Sequence, residues 1–242
     1  MDTKKTYLEK IVKSQDYIYL KENYIKKPKE QFYFLKKEIL KKNNEIDLLD
    51  LGCAKGEFIY FLSRHKKIKN LTGIDYSQSL IKYAKSQNRN TEKIKFYKKN
   101  AENFSIKKKF DFIIISGLIS YFDDPKKIIK CSINHLKKNG IIMILDKFNE
   151  NNVDILVSFR NNKISKKFEK GWNFHSIKTL GEIFKQKNFQ QITKKKFKLQ
   201  MPLKPKKDPG RTFKIKTNYG DYFANGLNQF YNIILLAYKR KK

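Results

Sequence analysis

Apolar and polar positions alternate along this chain in blocks. Short runs apolar on both faces, such as Ile46 to Leu51, Leu71 to Asp75 and Phe110 to Ile115, read as buried parallel strands. Between them lie stretches at helical spacing: Glu57 to Arg64, Ser77 to Ser86 and the segment after Pro125. Ile94 to Tyr97 and Ile141 to Leu145 add a third and a fifth strand, with Phe110 to Ile115 the fourth. Such alternation predicts a doubly wound, mostly parallel α/β sheet with helices on both faces. Phe189 to Leu199 and Tyr231 to Tyr238 supply a sixth and a last strand, making seven. Ser77 and Ser176 are expected helix caps, and Gly140 is expected to stop a helix that closes over Lys137-Lys138-Asn139.

The pattern turns on Asp50-Leu51-Gly52-Cys53-Ala54-Lys55-Gly56-Glu57. A strand enters a small glycine turn and leaves it as a helix. Gly52 and Gly56 let the backbone turn and approach a ligand closely. The N–H groups opening the next helix favour a polar or anionic group. Asp75 stands at the end of the second strand, 19 residues after Gly56. Dinucleotide folds grip a ribose hydroxyl pair with an acidic residue at about that spacing. The turn itself is Gly-x-x-x-Gly, which departs from the dinucleotide pattern.

That stretch resembles motif I of the class I, Rossmann-like S-adenosylmethionine-dependent methyltransferases, with Ala54 in place of the middle glycine. An alanine there predicts ordinary backbone angles. The resemblance is specific over residues 46 to 148 and rests on pattern alone over 172 to 238. It implies S-adenosylmethionine as cofactor, a last strand inserted antiparallel between the fifth and sixth, and an N-terminal helical cap. The expected organisation is a cap over residues 1–45 and a methyltransferase domain over 46–242, one domain overall. Expected cofactor-binding residues are Asp50, Gly52, Cys53, Ala54, Gly56, Asp75, Tyr76, Asn100, Ala101, Glu102, Ser116 and Gly117. Asn100-Ala101-Glu102 stand where the family holds adenine, with an amide oxygen in place of an acidic group. Ser120 and Tyr121 after the fourth strand, Phe148 after the fifth, and Tyr24 of the cap are expected against the acceptor. His175 precedes a helix beyond the polar stretch 147–174 and is the candidate general base.

Charge and composition narrow the partner. The net charge of +32 suggests nucleic acid, yet lysine supplies 50 of the 55 basic residues. Phosphate and base readers favour arginine's planar fork. No Asn-Pro-Pro-Tyr run follows the fourth strand and no cysteine nucleophile stands there. Cys131 falls inside a helix, where a structural thiol is expected, as His65 and His135 are expected to be structural within helices. Cys53, Cys131 and the three histidines lack metal-ligand spacing. No apolar run reaches membrane length, and no signal-peptide pattern opens the chain, so the cytoplasm is expected. The expected reaction is methyl transfer to an oxygen or nitrogen of a small, anionic metabolite: a phosphorylated compound, sugar or sugar nucleotide of bacterial biosynthesis. RNA or protein methylation over the basic surface, and a non-catalytic cofactor-binding subunit, are the alternatives. Residues 149–171 and 200–228, polar and loop-like, are expected to cover the acceptor pocket.

Overall fold

Strand β1 (Ile46–Leu51) forms because its apolar residues are buried on both faces: Ile46, Leu48, Leu49 and Leu51 lose all contact with water. A computed structural model describes Leu20 and residues 27–87, 92–160, 162, 167–205 and 211–241. Around β1 the chain lays out helix α1 (Glu30–Ile39), helix α2 (Glu57–Ser63), strand β2 (Ile68–Asp75), helix α3 (Gln78–Gln87) and strand β3 (Ile94–Lys98). Strand β4 (Phe110–Ser116), a short 3₁₀ turn (Ile119–Tyr121), helix α4 (Lys126–Asn134) and strand β5 (Leu136–Asn149) follow. The remainder gives β6 (Ser158–Phe159), β7 (Glu169–Lys170), β8 (His175–Ser176), α5 (Ile177–Lys185) and β9 (Phe189–Phe197). Last come β10 (Phe213–Thr217), β11 (Gly220–Ala224), β12 (Phe230–Tyr231) and β13 (Ile233–Arg240).

The main sheet has eight strands. Its order is β3-β2-β1-β4-β5-β13-β9, with β8 pairing β5. β13 stands between β5 and β9 and runs antiparallel to β9, so the last strand inserts where the resemblance implied. The eighth strand is the two-residue β8, parallel to β5. None of the described helices is long and apolar enough to cross a membrane.

The chain divides into two compact units, residues 1–114 with 130–142, and residues 115–129 with 143–242. In the first, β1 and β2 pair in parallel with Asp50 beside Gly73 and Leu51 beside Ile74. β3 extends the pairing, with Asp75 beside Lys98. α1 places Phe32, Leu35 and Ile39 on one buried face at helical spacing. Phe32 meets Phe58 and Phe61 with ring centroids 5.3 and 5.9 Å apart, and Tyr33 meets Phe61 edge-on at 4.7 Å. These aromatics of the expected cap thus pack α1 against α2. Tyr17, Tyr19 and Tyr24 lie outside the described residues.

Four expectations change in detail. α4 ends at Asn134, and Leu136 already belongs to β5, so Lys137 to Gly140 are strand and no helix stop. The reason is electrostatic. Lys137 Nζ sits 2.7 Å from both Asp47 Oδ2 and Asp111 Oδ2, which also pair with Lys108 and Lys42 respectively. Burial opposes ionisation of Asp47, but these lysines win and hold its carboxyl down at about 2. Gly140 is tightly enclosed: an added Cβ would lie 2.7 Å from Leu136 Cδ2 and 2.8 Å from the Phe110 carbonyl oxygen. His65 and His135 lie just past their helices, not inside them. His135 stacks on Phe104 at 4.3 Å, and Cys131 Sγ, within α4, meets the Phe104 carbonyl at 3.3 Å, so that thiol is structural.

In the second unit, Phe184 of α5 stacks on Tyr238 of β13 at 3.8 Å. The expected long loops also carry structure there. β6 and β7 form a two-stranded hairpin within 149–171. β10 and β11 pair antiparallel within 200–228, turning tightly between Thr217 and Gly220, and β12 just beyond adds a third strand to their sheet.

Candidate functional site

The glycine turn is built by backbone geometry. Gly52 has φ 82° and Gly56 φ 75°, and Ala54 between them has φ 47°. Ala54 is therefore left-handed, contrary to the ordinary angles expected of alanine, because the turn imposes what glycine would have accepted freely. Gly52 and Cys53 each donate an N–H to the Ile74 carbonyl, at 2.8 and 2.9 Å. The loop is thereby stitched to the end of β2.

Asp75 completes the cradle. Its Oδ2 accepts the Ala54 N–H at 2.8 Å, and its Oδ1 accepts the Ser77 N–H at 2.9 Å. A carboxylate oxygen can accept more than one hydrogen bond, and two such oxygens suit a pair of ribose hydroxyls. Ser77 in turn caps α3, its hydroxyl accepting the Leu80 N–H at 3.2 Å. Tyr76, half-buried, lies between the two.

Asp50 sits at the floor of the turn and is 5% exposed. Burial, reinforced by the charge of Asp75, pushes its carboxyl up to about 7. Two neighbouring carboxylates fit a cationic ligand, and S-adenosylmethionine carries a sulfonium and an ammonium. Burial, with both aspartates nearby, pushes the Cys53 thiol well up, so it stays protonated and acts as loop packing. Lys55 turns inward, 2% exposed, with Nζ 3.4 Å from Glu57 and 5.3 Å above the Tyr83 ring. Asn100 Oδ1 accepts the Glu102 N–H at 2.9 Å, which sets the turn Asn100-Ala101-Glu102 after β3.

The second unit carries the other expected residues. Ser116 ends β4. Gly117 follows with φ 65°, donates to the Leu145 carbonyl at 2.9 Å, and an added Cβ there would meet nothing within 4 Å. Ser120 is buried, its N–H 3.1 Å from Asp146 Oδ2 and its carbonyl accepting the Asn173 N–H at 2.7 Å. Tyr121 meets Trp172 edge-on at 6.1 Å. Phe148 is buried beside His175 in register.

His175 is 2% exposed. Its Nε2 donates to the Phe122 carbonyl at 2.8 Å, and its Nδ1 lies 4.0 Å from Asp154. Asn173 Nδ2 reaches the same Phe122 carbonyl and Asp123 Oδ1, both at 3.1 Å. Asn173 and His175 together clamp the turn after β4.

The residue that sequence reasoning passed over is Lys147, near the carboxyl end of β5. Its Nζ lies 5.0 Å from the centroids of the Trp172 and Tyr231 rings and 5.7 Å from that of Phe174. Burial pulls its ammonium down to about 8, against the charge of Asp146. Among 50 lysines it carried no compositional signal; its place between a buried aspartate and the expected Phe148 was the one available cue.

Known proteins place this geometry. A family model described as a methyltransferase domain matches residues 23–194. A malonyl-[acyl-carrier protein] O-methyltransferase of Bacillus anthracis is 27% identical over 146 residues, covering 60% of this chain and 52% of that protein. A ubiquinone biosynthesis O-methyltransferase of Pelagibacter ubique is 35% identical over 127 residues, covering 52% of this chain and 50% of that protein. The chain spans about half the length of the curated relatives it matches. In fold it is similar to the N-methyltransferase NodS of Bradyrhizobium japonicum, crystallised with S-adenosylhomocysteine. The TM-score is 0.57 at 16% identity, with 88% of this chain and 87% of that one covered. The family match, the sheet order and the glycine cradle agree: the chain belongs to the class I, Rossmann-like S-adenosylmethionine-dependent methyltransferases.

Proposed function

We propose that the chain transfers a methyl group from S-adenosylmethionine to an oxygen or nitrogen of a small, anionic metabolite. The observation that carries this is the pairing of a left-handed glycine turn with Asp75 at the end of β2, where Ala54 and the carboxylate meet at 2.8 Å. When bound, S-adenosylmethionine supplies a methyl that is already electrophilic. The protein has then to hold, orient and keep water out. In this reading Asp75 takes the ribose hydroxyls, Asp50 meets the positive charge, and Asn100 to Glu102 border the adenine. Ser116 and Gly117 border the cofactor, and Ser120, Tyr121 and Phe148 serve the acceptor end of the reaction, positioned by Asn173 and His175. His175 is assigned to holding the Phe122 carbonyl, since its Nε2–H donates there and its Nδ1 lies 4.0 Å from Asp154.

Both relatives described above are named for O-methylation, as are others among the matches, which favours oxygen as acceptor. Small-molecule biosynthesis in the cytoplasm is the setting this implies. A second reading has an observation of its own: relatives named for an acyl-carrier-protein substrate, beside a net charge of +32 here, suit an acid carried on an acidic protein. Labelled S-adenosylmethionine, incubated with the chain and with fractionated metabolites, acyl-carrier protein or total RNA at low and physiological salt, separates them. Label in the metabolite pool supports the first reading. Label confined to the carrier protein supports the second, and label confined to RNA at physiological salt overturns both.

A further inference from the structure

We propose that Lys147 is the oxyanion grip of the acceptor site and selects an acceptor that bears a carboxylate. This rests on the methyltransferase reading and names the substrate chemistry for it. Lys147 is half-buried, and its ammonium is bordered by the rings of Trp172, Phe174 and Tyr231, at 5.0, 5.7 and 5.0 Å. Ring faces attract a cation but offer it no hydrogen-bond acceptor. Among the described residues, no oxygen receives the Nζ hydrogens. Asp146, its neighbour, gives its oxygens to the backbone N–H groups of Ser120 and Lys147 at 3.1 and 2.9 Å. The Tyr231 hydroxyl is paired with Thr212 at 2.8 Å. An ammonium so placed costs stability, and an apolar side chain would fill the same space more cheaply. Its retention asks for a ligand.

An independent observation points the same way. Gln229 Nε2 is buried and has no acceptor among the described residues, while its Oε1 takes the Asn225 amide at 2.7 Å. Gln229 and Tyr231 are both buried, at 9 and 6% exposed, on either side of the exposed Phe230. The second unit thus holds two donors without an acceptor among the described residues, one charged and one neutral, and Tyr231, two residues after Gln229, is a wall of the Lys147 cage. The chemistry of the two donors is that of an oxyanion site. One lysine compensates one negative charge. A phosphate dianion would leave a charge uncompensated among rings, and a carboxylate would not.

Trp172 is the single tryptophan of the chain, so its emission reports on this cage alone. The protein, loaded with S-adenosylhomocysteine, is titrated with benzoate, inorganic phosphate and benzyl alcohol. Saturable change in Trp172 emission with benzoate, and none with the other two, is expected. Lys147→Met should weaken the benzoate response about tenfold or more, the loss of one charge-assisted contact, and Lys147→Arg should retain part of it. Calorimetry of S-adenosylhomocysteine binding and thermal melting of both variants show that fold and cofactor site persist. A benzoate response unchanged by Lys147→Met, a response to phosphate in preference to benzoate, or no response in cofactor-loaded protein overturns the proposal while leaving the methyltransferase reading intact. Failure of the unaltered protein to bind S-adenosylhomocysteine removes both.

Discussion

Asp75 Oδ2 accepts the backbone N–H of Ala54 at 2.8 Å, so the carboxylate proposed for the ribose also fastens the loop proposed for the rest of the cofactor. The two functions are lost together. Asp75→Ala should weaken S-adenosylhomocysteine binding by about 1–3 kcal/mol, the worth of charge-assisted hydrogen bonds, as isothermal calorimetry would measure. Ala54→Gly separates them. It relieves a left-handed residue at φ 47°, worth about 1–2 kcal/mol, less the added chain entropy of glycine at about 0.5–1. A small gain in denaturant midpoint with unchanged cofactor affinity is expected.

Asp50 sets a pH dependence. Burial, and then the charge of Asp75, place its folded-state value at about 7 against an ordinary 3.8. Because the folded value is raised, its contribution to stability is complete below the ordinary value and is lost as pH rises to about 7. Asp50→Asn should flatten that part of the stability curve. A cationic cofactor favours the ionised form, so binding near pH 6.5 should release a proton. Calorimetry in buffers of different ionisation heat reads that release, and identical heats in every buffer would argue against the role.

Gly56 is fixed by two constraints at once. Its φ is 75°, and a Cβ on it would lie 2.5 Å from Phe96 Cζ and 2.7 Å from Cε1. Gly56→Ala should cost about 2–4 kcal/mol, combining left-handed strain with overpacking. Adding Phe96→Leu removes the clash and leaves the strain. Partial recovery of the melting temperature in the double variant is the expected pattern, and full recovery would show that only the clash matters.

The strands β1, β2 and β4 were legible because burial on both faces leaves a short, largely apolar run, too short for a helix and rich in β-branched residues in β4. β5 was legible only in its second half. Its opening, Lys137-Lys138-Asn139-Gly140, has the composition of a helix end, and nothing local reveals that Lys137 answers Asp47 and Asp111, far away in sequence. The cradle could be read from Gly52, Gly56 and Asp75 because turn geometry is a local matter. The left-handed state of Ala54 could not, since it is imposed by the closed turn between Gly52 and Gly56. Residues 200–228 read as a loop from their prolines and glycines, while the paired apolar positions Phe213 with Ala224 and Ile215 with Tyr222 went unread. Lys147 was hidden for a different reason: its meaning lies in Trp172, Phe174 and Tyr231, brought together only by folding.

His175 provides the sharpest contrast between residue type and residue role. Histidine before a helix, beyond a polar stretch, suggested a proton acceptor. The folded chain buries it and commits Nε2–H to the Phe122 carbonyl at 2.8 Å, the same oxygen that Asn173 reaches at 3.1 Å. Removing the imidazole would leave a cavity and a weakened clamp on Ser120 to Asp123, a loss of about 2–4 kcal/mol for a buried, hydrogen-bonded side chain. His175→Ala should therefore lower the melting temperature by several degrees. Methyl transfer by the surviving folded protein should keep the shape of its pH–rate profile while the acceptor's KM rises, because a positioning residue acts through Ser120 and Tyr121. His175→Gln, whose amide can donate to the same carbonyl, should recover part of both losses. Loss of a pH limb in kcat, unaccompanied by any fall in stability, would return His175 to the role of base.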